Sequence, residues 1–501
     1  MNELFLFVRP PRPLWPFNGP SSAFWPPLAF ASLAAALREH LHDLRVEILD
    51  APALEMGWRT LESEVRRRQP AYVGLGEEAV SCMEGLRLAA LAHDSGARVI
   101  AGGCFFGHVA PEALHTGLID VVVHGEGEVT IVELVEALRE VNREALRRVA
   151  GISFADGEEI VATGPREPIR DLDALPFPAY DLLPVQRYGA RSRNHPHLAA
   201  IELGRGCVGS CDFCVLWRQM GRFVAGRPVP HLRTKSPERL REEIRRLVCC
   251  YDRRYLGWVD PCFNAHPHVP GALAELLLRD GIRLGQSAWA RTDALVRDAA
   301  SGALASCVHA GLNEVYLGIE RPDADSLASL RKTSQVAHAR EAMRILSTRY
   351  PEVLAIGSFI YGLPGDTPAT IRAIHRLACE LQLDQFFFIP LTPLPGTAGW
   401  RPELWDATGQ RFRRFNFLPA SRLYPHQPVL ERALLRSLLF NWHAARLRAW
   451  ARRFWAGNVR KRSVSWRLAV RGARYHCGRL LRRIVRGPDD DGLIFPAWYE
   501  T

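Results

Sequence analysis

Residues 201–214 read Ile-Glu-Leu-Gly-Arg-Gly-Cys-Val-Gly-Ser-Cys-Asp-Phe-Cys, which places Cys207, Cys211 and Cys214 with three and then two residues between them. The apolar run Leu198–Leu203 just before them predicts a short buried strand, and Gly204 and Gly206 mark its end. The cysteines therefore belong to a loop leaving the C-terminal end of a strand. Parallel α/β sheets and barrels place their chemistry there.

A structural zinc site closes a tetrahedron, and a simple electron-carrying cluster takes four cysteines. Three thiolates instead hold three irons of a cubane and leave the fourth open, as a catalytic metal site requires. Gly209 and Ser210 let the loop wrap closely, and Phe213 can shield a cluster from water. A zinc knuckle and a chance group of buried thiols are the competing readings.

The Cys-x-x-x-Cys-x-Phe-Cys string resembles the signature of radical S-adenosylmethionine (SAM) enzymes. The resemblance implies a 4Fe-4S cluster on Cys207, Cys211 and Cys214, with SAM on the open iron. It also implies an external one-electron donor such as a flavodoxin or ferredoxin, and cleavage of SAM to a 5′-deoxyadenosyl radical.

At 501 residues the chain exceeds one ordinary core, and its 48% hydrophobic and 24% charged residues are those of a globular protein. Its eleven cysteines are odd in number and, beyond the central trio, show no pairing pattern, so a reducing compartment is expected. With no signal-peptide pattern and no apolar stretch of membrane-spanning length, a cytoplasmic protein is expected. Residues 432–486 hold sixteen Lys and Arg and no acid, so without them the formal +10 becomes −6. The basic character is thus local, and nucleic acid is not an expected partner of the body.

Residues 1–148 alternate apolar runs (Leu4–Val8, Arg45–Leu49, Ala71–Leu75, Arg98–Ala101, Ile119–Val123) with helical patterns near 28–42, 58–69, 82–95, 109–117 and 128–147. This predicts a doubly wound, Rossmann-like parallel sheet with its ligand at the C-terminal strand ends. No Gly-x-Gly-x-x-Gly follows the first strand, which argues against a dinucleotide. Trp25-Pro26-Pro27-Leu28, Gly102-Gly103 and His124-Gly125-Glu126-Gly127-Glu128 resemble the cobalamin-binding domain fused to many radical SAM enzymes. That likeness implies cobalamin contacts at Pro26, Gly76, Glu77, Gly102, Gly103, Gly125, Glu126, Gly127 and Glu128. Asp-x-His occurs nowhere in the chain, so base-off cobalt without a protein histidine below it is expected, His108 and His124 being polar loop residues.

Residues 149–195 read as a linker, with a hairpin (Gly151–Phe154 and Glu159–Ala162) and a proline-rich run. From 196 to 395, strands near 198–203, 255–260, 283–289, 314–319, 354–361 and 385–390 alternate with helices near 236–250, 268–280, 297–310, 335–349 and 367–382. This predicts a partial (β/α)6 barrel, with the other strand ends converging on the cysteine loop. Carboxylates, amides and an arginine at those ends suit a ribose, an ammonium and a carboxylate. By family likeness Asp260, Asn264, Arg291, Gly318, Glu320, Gly362, Leu363 and Pro364, with Phe213, would hold SAM. Two places depart from the family pattern: Arg321-Pro322 replaces a small Ser-Gly, and Asp260-Pro261 stands where paired acids are common. Each strand-end residue has the plainer reading of a cap on the next helix.

Residues 396–501 carry no catalytic motif and predict a basic, mainly helical extension. Leu435, Leu438, Leu439, Trp442, Ala445 and Ala449 recur at helical spacing among arginines, which suits either a helix docked on the acidic body or one lying on an anionic membrane. The whole pattern, including Asn416 to Pro419, resembles the subgroup of anaerobic magnesium-protoporphyrin monomethyl ester cyclase and cobalamin-dependent C-methyltransferases. That resemblance implies a small-molecule substrate (tetrapyrrole, lipid or natural-product intermediate), with C-methylation expected ahead of oxidative cyclisation. A tRNA methylthiotransferase would want more cysteines than Cys82 and Cys104 in the first 150 residues. A non-enzymatic iron–sulfur or zinc protein is the remaining alternative.

Overall fold

The computed structural model of the chain describes residues 3–14, 25–140, 143–401, 429–434, 451–452, 454–486 and 494–501. Two sheets dominate it, each covered by helices.

The first sheet has seven strands: β1 (Leu4–Arg9), β2 (Arg45–Asp50), β3 (Tyr72–Leu75), β4 (Arg98–Ala101), β5 (Val121–Val123), β6 (Ile152–Asp156) and β7 (Glu159–Ala162), in the order β2-β1-β3-β4-β5-β6-β7. Strands β1 to β5 are parallel. Every residue of β1 is buried, as expected of a parallel strand covered on both faces. The order reverses between β1 and β3, and such a switch point leaves a crevice at the C-terminal strand ends. The hairpin read as linker is instead the sheet's antiparallel edge, with Val121 opposite Phe154 and Val123 opposite Ile152. Its Ile152 and Phe154 are drawn into the core that also buries Ile131 and Leu134. Where one helix was expected over 128–147 there are two, Glu128–Arg139 and Glu144–Arg148.

The second sheet has six parallel strands: β8 (Leu198–Ile201), β13 (Tyr255–Trp258), β14 (Gly285–Ala290), β15 (Leu312–Glu320), β16 (Leu354–Tyr361) and β17 (Gln385–Pro390). Each strand pairs with the next one in this series, and β8 and β17 remain edges. Between β8 and β13 come β9 (Gly204–Arg205) and β12 (Arg233–Thr234), paired to each other, and an exposed hairpin of β10 (Arg222–Val224) and β11 (Arg227–Val229). The helix expected over 297–310 divides into Thr292–Ser301 and Ala303–Ala310, because Gly302 takes a left-handed conformation at φ 85°. The helix Pro237–Tyr251 begins where Ser236 accepts from Arg239 N–H, and Pro368–Glu380 begins with Thr367 accepting from Thr370 N–H.

A last long helix, Val459–Arg486, starts against the N-terminal ends of the second sheet. Lys461 Nζ donates to Pro351 O and Val353 O and pairs with Asp384 at 3.1 Å, while Val464 and Leu468 pack on Leu354 and Ile356. This end of the sheet is opposite the cysteine loop. The stripe from Leu435 to Ala449 and the Asn416–Pro419 stretch lie outside the described residues. Among the described residues no helix is long and apolar enough to cross a membrane.

Candidate active site

The cysteine loop leaves β8 and is held at both ends. Asp260, just beyond β13, accepts from Leu203 N–H at 2.9 Å and Gly204 N–H at 2.7 Å, so its two oxygens fix the backbone where the loop departs. Burial pushes this carboxyl up to about 7, against the two N–H bonds that favour its charged form. Farther on, Asp212 N–H donates to Leu330 O, and Trp217 Nε1 donates to Cys211 O. Phe213 packs with Leu330, Ile360, Leu363 and Leu391, which brings it together with Leu363 of the SAM-directed set.

Gly209 lies inside the loop. A Cβ there would sit 3.8 Å from Cys207 Sγ, 3.9 Å from Cys211 Sγ and 3.2 Å from Arg291 Nη1, and its N–H donates to Cys207 Sγ. Burial raises the Cys211 thiol, and raises that of Cys214 to about 11. Both would be neutral until a metal cation displaces their protons. Among the described residues no three His, Cys, Asp or Glu converge on one ion position. A cubane asks instead for thiolates on separate irons.

Around the loop the strand ends present a consistent set. Arg291 follows β14, and Asp293 grips its Nε and Nη2 while Thr333 Oγ1 accepts from Nη2 at 2.7 Å. Nη1 is thereby aimed beside Gly209. Asn264 trades hydrogen bonds with the Arg291 backbone, accepting its N–H at 2.9 Å and donating to its carbonyl at 3.2 Å. Its amide therefore positions the arginine. Glu320 ends β15 at φ 68°, where the pairing with β16 slips between Gly318 and Glu320. That bulge turns the carboxylate towards Lys332 (3.4 Å) and Ser358 (3.3 Å), and burial raises its pKa. Gly318 leaves room for this pair, since a Cβ there would lie 2.7 Å from Glu320 Oε1 and 2.9 Å from Lys332 Nζ and make both side chains shift.

The Gly362–Pro364 turn is locked from below. Asp366 accepts from Gly362 N–H and Leu363 N–H and forms a two-pronged pair with Arg321, which also donates to Ile360 O. The arginine that departs from the family pattern is thus the brace of the turn beside it.

At the switch point of the first sheet, Arg12 and Glu77 pair across the ends of β1 and β3. Glu77 Oε1, Arg12 Nε and His108 Nε2 are buried without hydrogen-bond partners among the described residues. Gly76, Gly102 and Gly103 lie together there; Gly103, at φ 80°, would bring a Cβ within 3.8 Å of the Gly76 Cα. His124 has both ring nitrogens engaged, with Gly107 O and Ser153 Oγ. Pro26 O accepts from Leu28 N–H, starting the first helix.

Glu126 and Glu128 behave differently from the expectation that they face cobalamin. Glu128 takes Arg205 in two hydrogen bonds of 2.6 and 3.1 Å, and Glu126 pairs with Arg233 at 2.6 Å and accepts from Ile169 N–H. Arg205 and Arg233 stand opposite each other in the β9–β12 ladder, where like charges repel. Two acids from the other sheet relieve that repulsion, while Gly125 and Gly127 leave only backbone toward the strand ends. Burial alone would lower Arg205, yet Glu202 and Glu128 hold it well above its ordinary value. Because Arg205 is two residues from Cys207, this clamp ties the first sheet's ligand end to the cysteine loop. Trp25 adds a second tie: its ring occupies the space a side chain at Gly257 of β13 would need. Arg205 and Arg233 escaped assignment because nothing in their local sequence separates a buried arginine from an exposed one.

A B12 binding domain model matches residues 17–135 and a radical SAM superfamily model matches residues 201–378. The chain is a B12-binding radical SAM enzyme, of the family that includes cobalamin-dependent methyltransferases and cyclases. It is 28% identical over 381 residues to an uncharacterized methyltransferase of Pyrococcus horikoshii, covering 75% of this chain and 78% of that one. It is also 28% identical over 390 residues to the anaerobic magnesium-protoporphyrin IX monomethyl ester cyclase of Cereibacter sphaeroides (74% and 59% covered), and 26% over 339 residues to the hopanoid C-3 methylase of Methylococcus capsulatus (66% and 60%). In fold it matches the radical SAM methyltransferase TsrM of Kitasatospora setae with cobalamin and a 4Fe-4S cluster bound, at TM-score 0.61 and 19% identity over 79% of this chain and 77% of that one. The family's groups are a 4Fe-4S cluster, SAM and cobalamin. Cys207 and Cys211 brought beside Arg291 at Gly209, and the buried Glu77 Oε1 and Arg12 Nε at the switch point, unpartnered among the described residues, fit them.

Proposed function

We propose that this enzyme methylates an unactivated carbon of an apolar small molecule. When bound, SAM and the cluster supply a hydrogen-abstracting adenosyl radical, and cobalamin supplies the methyl group. Cys207, Cys211 and Cys214 would ligate the cluster, with Phe213 covering it. Arg291 Nη1 would take the SAM carboxylate and Glu320 its ammonium, with Gly318 and the Gly362–Pro364 backbone against the rest; Asp260 and Asn264 would hold these groups in position. On the first sheet, Pro26, Gly76, Glu77, Gly102, Gly103, Gly125 and Gly127 would border cobalamin. Neither His124 nor His108 would take its lower face, because both nitrogens of His124 are committed and the His108 ring lies against Gly396.

The observation that carries the reading is the clamp from Glu126 and Glu128 to Arg233 and Arg205, which ties the ligand end of the first sheet to the cysteine loop of the second. The sheet face beside that loop also carries apolar side chains. Trp289 is 38% exposed and Val259 39% exposed, and strand alternation puts both on the face that carries Arg291. Trp289 stacks on Tyr316 at 4.8 Å, and Tyr316 on Phe387 at 6.5 Å. Relatives named for a tetrapyrrole and a hopanoid agree with a ring-bearing, water-averse substrate.

The test is anaerobic turnover of the reconstituted holoenzyme with candidate tetrapyrrole and triterpenoid substrates, quantifying S-adenosylhomocysteine beside 5′-deoxyadenosine. Methylation requires both in step with product. Formation of 5′-deoxyadenosine alone with product would make the enzyme an oxidative cyclase. An electron paramagnetic resonance spectrum of bound cob(II)alamin without nitrogen splitting is expected from base-off binding.

A further inference from the structure

The helix Val459–Arg486 is docked along one side, and several of its described side chains on the other are exposed. Lys461, Val464, Ser465 and Leu468 are buried against the second sheet. Val459, Trp466, Leu481 and Val485 are 73%, 60%, 61% and 82% exposed. At 3.6 residues per turn these four fall within roughly 100° of arc, on the half opposite the docked residues. Trp455, 68% exposed, precedes them by one turn. Scattered exposed apolar residues are ordinary, but exposed apolar residues sharing one arc at both ends of a helix mark a contact surface.

Charge decides what the stripe meets. Residues 459–486 contain ten Lys and Arg and no Asp or Glu. A second copy of the helix laid on this face would bring like charge to like charge. RNA could stack bases on Trp455 and Trp466, but the far end of the stripe offers Leu481 and Val485, aliphatic side chains that stack no base. An anionic bilayer takes both features together: apolar side chains enter the acyl boundary and arginines meet the headgroups.

We propose that this helix seats the enzyme on an anionic membrane surface, with Val459, Trp466, Leu481 and Val485 entering the interface. The docked half holds the body by the N-terminal strand ends, which leaves the cysteine-bearing ends away from the anchor. The proposal does not depend on which substrate is methylated.

Flotation of the full-length protein with phosphatidylcholine vesicles, with and without phosphatidylglycerol, tests it. Binding is expected only to the anionic vesicles and should weaken as salt is raised. A Leu481→Asp/Val485→Asp variant should lower partitioning at least about tenfold. Arg474→Glu, at an exposed position, should lower it as well. Both variants change exposed side chains, so an unchanged thermal midpoint is expected to accompany the loss. Equal binding to neutral vesicles, or variants that bind as before, would overturn the proposal. So would a dimer that the aspartates convert to monomer, or retention of RNA in place of vesicles.

Discussion

His108 lies on the loop after β4, its ring packed against Gly396 from the far end of the second sheet. Burial, with His124 and Arg218 nearby, pushes its imidazole down to about 4. A base whose folded pKa lies below its unfolded value binds fewer protons folded than unfolded. Stability is therefore full above about 6.5 and is lost as pH falls from there toward 4. Replacing His108 by Gln should remove this part of the acid sensitivity. The difference in unfolding free energy between the two proteins should narrow by on the order of 2–3 kcal/mol between pH 7 and pH 4. Urea titrations of both at the two pH values measure it, and parallel pH profiles would exclude the assignment. Asp260 shows the same sensitivity to surroundings from the other side: read as a SAM contact, it spends both oxygens on the backbone at Leu203 and Gly204. Its position at a strand end was legible; the direction of its carboxylate was set by a loop more than fifty residues earlier in the chain.

Among the elements, the β9–β12 ladder is the least legible in sequence and the most consequential. It is two residues long on each side and places Arg205 opposite Arg233. Periodicity gave no sign of it, because two residues carry no period. The long strands and helices were a different matter: β16 is eight buried residues bounded by Pro351 and Gly362, and its apolar run declares itself. The cysteine spacing was equally plain, since ligand geometry is encoded locally. The partners of Glu126 and Glu128 were not, because each pair joins residues from different sheets. Arg205→Ala would leave Glu128 and Glu202 buried beside an empty space. Loss of one partner of a buried pair costs about 3–5 kcal/mol, here offset in part for Glu202 by Lys235 at 3.9 Å. Denaturant unfolding should show that loss. If the clamp aligns the two cofactor ends, a milder Arg205→Lys enzyme should keep cleaving SAM while making less S-adenosylhomocysteine per 5′-deoxyadenosine. A fall in both together would assign Arg205 to stability alone.

Across the whole molecule, residues far apart in sequence hold the two sheets as one body. Trp25 fills the place beside Gly257, Gly396 meets His108, and residues 494–501 return to the first sheet's helices. There Trp58 N–H donates to Tyr499 O, Thr60 N–H donates to Thr501 O, and Tyr499 Oη donates to Glu84. Leu14 N–H also donates to Ile494 O, so the same segment holds the stretch that carries Arg12 to the switch point. Gly57 admits it. At φ −86° the backbone there suits any residue, so space and not conformation requires the glycine. A Cβ would collide with Trp498 O and lie 2.5 Å from Thr501 N, backbone atoms that cannot turn aside as a side chain would. Gly57→Ala should therefore release 494–501 while leaving the second sheet intact. Hydrogen exchange read by mass spectrometry should show at least about tenfold faster exchange in this segment, with β13 to β16 unchanged. Gly164→Ala, where no atom lies within 4 Å of the added methyl, should change neither region. If the segment keeps its protection in Gly57→Ala, its hold on the first sheet comes from contacts other than those around Gly57. In that case Arg12 and Glu77 owe their placement to β1 and β3 alone.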